Sequence, residues 1–151
     1  MTEQLFAERL ADLVLTKGIN LEEGMCLNIN TCAETYFYAR VMAEDAYRKG
    51  AKYVKITVTD PYLDKARTQY RSDKDLSFVP NYERAFNLEA AAASWANVRL
   101  ESPEEHIGVD IKDVKKMQII TNSKRETKKE LSQKYMGSQL PWCVCCVPGP
   151  K

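Results

Sequence analysis

Segments with the period of a β-strand alternate with helical segments along this chain, and this alternation restricts the fold more than any other feature. MCLNIN at 25–30 and YVKITVT at 53–59 carry an apolar residue at every second position. ANVRLE at 96–101 is a weaker strand, and WCVCCV at 142–147 is a fourth. Strands separated by helices pair in parallel through right-handed crossovers. The sequence therefore predicts an α/β fold, a three-layer sandwich around a mostly parallel sheet of about four or more strands with Rossmann-like topology.

The first two helices have recognisable ends. Residues 3–17 carry one apolar stripe, and Gly18 is expected to stop that helix. Thr31 and Glu34 have the spacing of a capping box, which predicts a second helix that runs to about Lys49, with Gly50 as its C-cap.

The later helices are predicted from similar signals. Asp60 before Pro61 indicates an N-cap with proline at the first helical position. Residues 72–81 are predicted to be a loop, 81–95 an alanine-rich helix, and about 110–135 one long basic helix that ends at Gly137, with Pro141 barring any restart. The remaining signals are a helix start at Ser102, Pro103 and Glu105 and an interruption at Gly108.

Length and charge exclude several classes of protein. The 151 residues, with a formal charge of +1, fit one domain spanning 1–151 and give no reason to expect a nucleic-acid or membrane partner. No apolar run is long enough to span a bilayer, and MTEQLFAERL has no basic region of a signal peptide. Five cysteines, three of them crowded together, are typical of a cytoplasmic protein with reduced thiols.

The terminal sequence WCVCCVPGPK allows two interpretations, a thiol site or a sulfur-rich buried strand. Alternation along a strand points Cys143 and Cys145 one way and Cys146 the other, which is not the turn that a zinc site needs. The run is also the most continuously apolar one in the chain. We therefore expect a buried central strand whose cysteines bind no metal, with Trp142 as a structural anchor at its start.

Asn28 and Asn30 are the strongest candidates for a ligand site. They share one face of the first strand near its predicted carboxyl end, where open α/β sheets bind ligands. The turn that follows, NTCAET, lacks the glycines that let a backbone approach a pyrophosphate, so a nucleotide site is disfavoured.

The other chemically interesting side chains have ordinary structural explanations. His106 has no neighbouring nucleophile, and the acidic pairs Glu22–Glu23 and Glu104–Glu105 fall at turns and helix starts. The basic residues of the last helix are interleaved with acids and are predicted to form a solvated face; they are Lys112, Lys115, Lys116, Lys124, Arg125, Lys128 and Lys129. The residues alone thus predict no catalytic and no metal-binding residue, and leave substrate-binding residues unknown.

Several stretches, taken in order, resemble the N-terminal domain of the M29 metallo-aminopeptidases. They are RLADLVLTKGINLEEGMCLNIN, AEDAYRKGAKYVKITVTD, NLEAAAASWANV, ESPEEHIGVDIKDV and QLPWCVCCVPGP. Cys143, Cys145 and Cys146 stand where the family usually carries other small or aliphatic residues.

The resemblance implies a parent protein that removes N-terminal residues from peptides with two divalent metal ions, Zn, Co or Mn, and that forms a homodimer. The family's ligands, which are glutamates, histidines and an aspartate, come from a C-terminal domain that this chain lacks, so the 151 residues are expected to be inactive alone. Two alternatives stay open: an autonomous non-enzymatic α/β binding or regulatory module, and a thiol protein that uses the terminal cysteines.

Overall fold

A computed structural model describes residues 1–103 and 110–149 of the chain. Each predicted strand is present in these two ranges, and helices connect the strands. In chain order the elements are α1 (Glu3–Leu13), a π-helical turn (Val14–Gly18), β1 (Cys26–Cys32), a 3-10 turn (Ala33–Thr35), α2 (Tyr36–Arg48), β2 (Tyr53–Thr59), α3 (Pro61–Tyr70), α4 (Asp73–Leu76), α5 (Asn81–Ala92), β3 (Ala96–Glu101), α6 (Val114–Thr127), α7 (Lys129–Met136) and β4 (Trp142–Cys146).

The four strands form one parallel sheet in the order β2-β1-β3-β4. Leu27 of β1 pairs with Val54 of β2 on one side and with Ala96 of β3 on the other. The chain moves from β1 to one side of the sheet and then crosses back to β3, so the direction of winding reverses between β1 and β3. The predicted α/β class and mostly parallel sheet are therefore confirmed, and the structure shows that the sheet is doubly wound.

Helices cover the sheet on two faces, which confirms the three layers. We call the face covered by α1 and α2 the first face, and its core includes Leu15, Leu27, Ile29, Met42 and Val98, each at most 1% exposed. The opposite, second face is packed more lightly by α5 and α7. Its cluster of buried residues is Ala90, Ala91, Trp95, Leu131 and Leu140.

Several predicted element ends are confirmed. The Asp60 carboxylate accepts a hydrogen bond from the Tyr62 backbone N–H at 2.9 Å, and Pro61 begins α3. Gly50 follows α2 with a φ of +95°, a conformation that side chains other than glycine rarely adopt. Gly18 ends the π-helical turn, where an added Cβ would lie 3.1 Å from the Cys143 sulfur.

The predicted capping box of Thr31 and Glu34 is wrong. Strand β1 continues to Cys32, so Thr31 pairs with Val58 in the sheet and is not available as an N-cap. Cys32 and Thr35 form the reciprocal capping contacts instead, one residue further along the chain.

Two other predicted segments differ from the structure. The predicted loop at 72–81 contains the short helix α4, and the predicted long basic helix is interrupted at Lys128, between α6 and α7. The buried Asn87 side chain of α5 donates to the Thr127 carbonyl at 3.4 Å, so a contact with a distant helix accompanies the break. The helix start predicted at Ser102–Glu105 and the interruption at Gly108 fall mainly on 104–109, outside the described residues.

The interpretation of WCVCCV as a buried central strand is wrong. Strand β4 pairs with β3 on one side and lies at the edge of the sheet as far as the structure describes it. Trp142 and Val144 are 52% and 50% exposed, and Cys146 is also exposed. An apolar composition cannot by itself distinguish a central strand from an edge strand, because burial depends on the elements that pack beside it.

Within the described residues, no helix combines the length and the apolar character needed to cross a membrane.

The contrast between β3 and β4 leads to a prediction with a matched control. Val98→Ala, at a site with 0% exposure, should lower the free energy of unfolding by about 2 kcal/mol or more, because it removes buried methyl groups and leaves a cavity. Val144→Ala makes the same chemical change at the half-exposed edge and should cost clearly less. Urea unfolding of both variants measures the difference, and equal losses would contradict the edge position of β4.

Candidate binding site on the polar face of the sheet

The second face of the sheet is polar along its three neighbouring strands β2, β1 and β3. Asn28 pairs in register with Lys55 and with Asn97. Two residues further along the strands, Asn30 pairs with Thr57 and with Arg99 in the same way. Because side chains alternate between faces, these six residues stand on the face opposite to the Leu27 and Ile29 core. We call them, together with Glu101, the polar face.

Hydrogen bonds connect the side chains of this polar face across all three strands. The Asn97 Oδ1 accepts from Asn28 Nδ2 at 3.0 Å and from Asn30 Nδ2 at 2.7 Å. The Thr57 hydroxyl donates to Asn28 Oδ1 at 2.8 Å and accepts from Lys55 Nζ at 2.7 Å. The network satisfies the buried Asn28 amide and fixes the side chains relative to one another.

Sequence reasoning found part of this network. The prediction that Asn28 and Asn30 share a face is confirmed, although both lie in the middle of β1 and not near its end, because the strand runs to Cys32. Lys55 and Thr57 were missed as functional candidates. The alternation of YVKITVT already placed them opposite its apolar residues, but only the strand register brings them beside the asparagines.

Helix α5 places a short row of side chains over this face. Phe86 lies with its ring centroid 4.6 Å from Lys55 Nζ, a cation–π contact. Glu83 lies three residues before Phe86 and four before Asn87, so its side chain neighbours both of theirs on the surface of α5. The pKa of Lys55 is lowered from its ordinary value chiefly by desolvation, while the Glu83 charge acts in the opposite direction.

Lys128, at the break between α6 and α7, brings a further positive charge near the polar face. Desolvation is the main cause that lowers its pKa, and the charges of Lys124, Arg99 and Lys55 add to it, while Glu83 opposes them. The Lys128 side chain as a whole is exposed to solvent. The exposure of Lys128 agrees with the predicted solvated basic face.

Arg99 and Glu101 form an ion pair along β3, with 2.6 Å between Nε and Oε1. Lys124 pairs with Asp64 of α3 at 3.0 Å. These carboxylates neutralise neighbouring cations. In residues 1–103 and 110–149 no three or more His, Cys, Asp and Glu side chains are grouped as metal ligands would be.

Two shallow hollows lie away from the polar face. One, of about 460 Å³, follows the surface of α1 and of the π-helical turn after it, from Leu5 to Lys17. The other, of about 470 Å³, lies at the amino-terminal ends of β1 and β4, between Gly18 and Trp142. Neither contains the hydrogen-bonded side chains described above.

The terminal cysteines do not converge on one point. Cys143 and Cys145 pack against the core of the first face, whereas Cys146 is exposed, so the predicted alternation is confirmed and the predicted burial of Cys146 is wrong. Desolvation, with smaller contributions from the other two thiols, raises the pKa of Cys145 to about 11. His106, Glu104 and Glu105 lie outside the described residues.

The sheet order, the two helical layers and the polar face define an open, parallel α/β domain. The chain belongs to the M29 family, described as thermophilic metalloproteases, whose model matches residues 3–151. The resemblance seen in the sequence is thereby confirmed.

Known relatives are longer than this chain. It is 24% identical to aminopeptidase 2 of Geobacillus stearothermophilus over 145 residues, which are 95% of this chain and 34% of that protein. It is 34% identical to aminopeptidase T of Thermus thermophilus over 89 residues, 56% of this chain and 22% of that one. The structure of wild-type AmpT from Thermus thermophilus superposes on this chain with a TM-score of 0.81 at 21% sequence identity. The match covers 99% of this chain and 37% of the AmpT chain, and it shows that the two share a fold. The chain thus spans about a third of the length of the first of these relatives.

Asn97 should be the residue on which the hydrogen-bond network depends. Asn97→Ala removes the acceptor shared by Asn28 and Asn30 and should cost about 1–3 kcal/mol of unfolding free energy, because a buried amide loses its partner. Asn97→Asp keeps an acceptor oxygen at the same place and should recover part of the loss. Chemical unfolding of both variants tests this, and an alanine variant as stable as the parent would contradict it.

The three thiols should differ in reactivity. At pH 8, iodoacetamide should modify the exposed Cys146 readily, whereas Cys145, with a pKa of about 11, holds roughly one thiolate in a thousand at that pH. Mass spectrometry of digested protein locates the modified sites. Urea-unfolded protein is the control, in which all cysteines should react, and equally rapid modification of Cys145 in the folded protein would disprove its shielding.

Proposed function

We propose that this chain is the N-terminal α/β domain of a metal-dependent aminopeptidase, which hydrolytically releases N-terminal amino acids from peptides. The observation that carries the proposal is the M29 match over residues 3–151. Relatives matched over more than nine-tenths of the chain are named aminopeptidase 2 and aminopeptidase AmpS, the second from Bacillus subtilis at 23% identity over 144 residues.

The metal ions of this activity are proposed to lie outside the chain. Several described acidic side chains are engaged with cations, as in the pairs Asp64–Lys124, Asp75–Arg71 and Glu101–Arg99. The donor set does not fit a metal centre within the described residues. A pair of divalent ions, Zn, Co or Mn, would activate a bridging water and stabilise the developing oxyanion, and its ligands would come from a C-terminal catalytic domain of a longer protein.

The role proposed for these residues is to shape the substrate cavity and the assembly of that longer protein. The longer protein would act on peptide substrates and would form a homodimer in the cytoplasm. The rigid sheet supports this role, since the central strands are held from both sides and on both faces.

A second candidate is an autonomous binding or regulatory module without enzymatic activity. It is favoured by the presence of apolar clusters on both faces of the sheet, which give the chain its own core. The reading frame beyond Lys151 separates the two: a stop codon favours the module, and continuation into Glu- and His-rich sequence favours the aminopeptidase.

The purified 151-residue chain should hydrolyse no aminoacyl-p-nitroanilide when zinc, cobalt or manganese is added, because two-metal hydrolysis needs several carboxylates and imidazoles held together. A version of the protein that continues into the catalytic domain should hydrolyse it and lose activity with a chelator. If the 151-residue chain shows metal-dependent turnover and His106→Ala abolishes it, the proposal that the catalytic metal ions bind outside this chain is wrong.

A further inference from the structure

We propose that the outer edge of β4 binds an extended peptide, which pairs with it as an additional strand of the sheet. The assignment of this edge rests on strand register, hydrogen bonds and exposure. The inference adds a peptide-binding surface to the proposed function, and it rests on that function only in identifying the bound peptide as a substrate.

Strand β4 presents backbone groups along the edge that faces away from β3. Its bonds to β3 are fixed at both ends, where the Pro141 carbonyl accepts from the Asn97 N–H at 3.0 Å and the Val147 N–H donates to the Glu101 carbonyl at 2.8 Å. In the parts of the chain that the structure describes, no strand pairs with the other edge of β4. Because the backbone groups of successive residues point to opposite edges of a strand, this free edge carries the N–H and C=O groups of Trp142, Val144 and Cys146.

The side chains of these outward-pointing residues are accessible and uncharged. Trp142 and Val144 are 52% and 50% exposed, and Cys146 is also exposed. The whole strand, WCVCC, contains no charged residue, no proline and no glycine. Edge strands usually carry such residues or a covering element, which prevent the pairing of another strand. Strand β4 therefore keeps a backbone edge that another chain can pair with.

The opposite edge strand of the sheet, β2, has the protection that β4 lacks. The Val54 N–H donates to the hydroxyl of Tyr47, a residue of α2, at 3.0 Å. An incoming strand would have to displace this side chain. Strand β2 also carries the charged Lys55, and α3 begins at Pro61, directly after the N-cap Asp60. Of the two edges of the described sheet, the edge of β4 is thus the better suited to strand addition.

The backbone of this edge determines the chemistry of its partner. A row of N–H and C=O groups that repeats along a strand is matched by the backbone of an extended peptide. Because β4 offers no charge, a charged side chain of the peptide would lose water without gaining a partner there. The peptide that fits is therefore uncharged, with apolar side chains at alternate positions beside Trp142 and Val144. Trp142 also lines the hollow at the amino-terminal ends of β1 and β4, which offers a recess for one of these side chains.

The small size of the edge favours a peptide over a second copy of this chain. Protein–protein interfaces that are stable bury about 1,200–2,000 Å². Strand β4 has five residues, and the exposed side chains along its free edge offer on the order of a few hundred Å². Two copies joined through β4 alone would fall short of a stable interface. A short peptide needs only the main-chain hydrogen bonds and side-chain contacts of one strand.

Isothermal titration calorimetry on the 151-residue chain tests the edge with an acetylated and amidated heptapeptide in which threonine and valine alternate. This peptide should bind. The same peptide with N-methyl groups on two adjacent central residues has lost a donor on each of its edges and should bind at least about tenfold more weakly. Equal binding of the two peptides, or no binding of the unmodified one, overturns the proposal. The comparison leaves the protein unchanged, so it does not depend on the folding of any variant.

Val144→Pro should weaken binding of the unmodified peptide at least about tenfold. Proline removes the outward N–H and places its ring there, whereas the hydrogen bonds to β3 come from the neighbouring residues of β4. Val144→Thr keeps the N–H on a β-branched residue and is the matched control, whose affinity should stay within about twofold of the parent. Circular dichroism and urea unfolding verify that both variants are folded. Equal affinities of the two variants would rule out the outer edge of β4 as the binding surface.

Hydrogen exchange measured by NMR locates the bound peptide. In the free protein the outward Val144 amide should exchange faster than the Val54 amide, which is hydrogen-bonded to Tyr47. A saturating amount of the peptide should slow exchange of the Val144 amide at least about tenfold and leave exchange of the Val54 amide unchanged. If the Val144 amide exchanges equally fast in the complex, the peptide binds elsewhere and the proposal is wrong.

Analytical ultracentrifugation tests the other possible occupant of the edge. Dimers of the 151-residue chain that Val144→Pro abolishes, together with no binding of the peptide, would assign the edge to a second copy and overturn the assignment to a peptide. A monomer that binds the peptide supports the proposal.

The outcomes also distinguish this inference from the proposed function. A longer protein that hydrolyses peptides, with peptide binding unaffected by Val144→Pro, would overturn only the binding edge. Binding that depends on the Val144 N–H in a protein without peptidase activity would keep the binding edge and overturn the aminopeptidase assignment.

Discussion

The structure depends on parallel pairing of β1 with a strand on each side. β1 is hydrogen-bonded to β2 and to β3, and its Leu27 and Ile29 are fully buried on the first face. Both neighbours are reached through helical crossovers, and the handedness of such crossovers sends α2 to one face and the helices after β2 to the other. The three layers follow from this one arrangement.

The two faces of the sheet then take different roles. Apolar side chains of all four strands contribute to the first face, with Cys143 and Cys145 as the contribution of β4, and its core is continuous with α1 and α2. On the second face the asparagines, Lys55 and Thr57 replace an apolar surface with a hydrogen-bonded one. The amides of this network hydrogen-bond to one another, which fixes their positions on the sheet.

The chain shares its family with longer relatives. The M29 match covers residues 3–151, yet the chain spans only 34–37% of relatives that it matches along nearly its whole length. Asp64, Asp75 and Glu101 form ion pairs with Lys124, Arg71 and Arg99, and the polar face presents amide, hydroxyl and ammonium groups.

Local signals in the sequence determined the elements and their faces. Alternating apolar residues predicted β1 and β2, and Asp60–Pro61 predicted the start of α3. The spacing of Asn28 and Asn30 placed them on one face of β1. Each of these properties depends on residues that are close together in the chain, so the sequence is enough to predict it. Only the tertiary structure decided that β4 lies at an edge, that the last helix breaks at Lys128, and that Asn97, 69 residues from Asn28, completes the polar network. Burial, strand neighbours and register are set by contacts between distant segments, and a periodic sequence pattern carries no information about which segments those are.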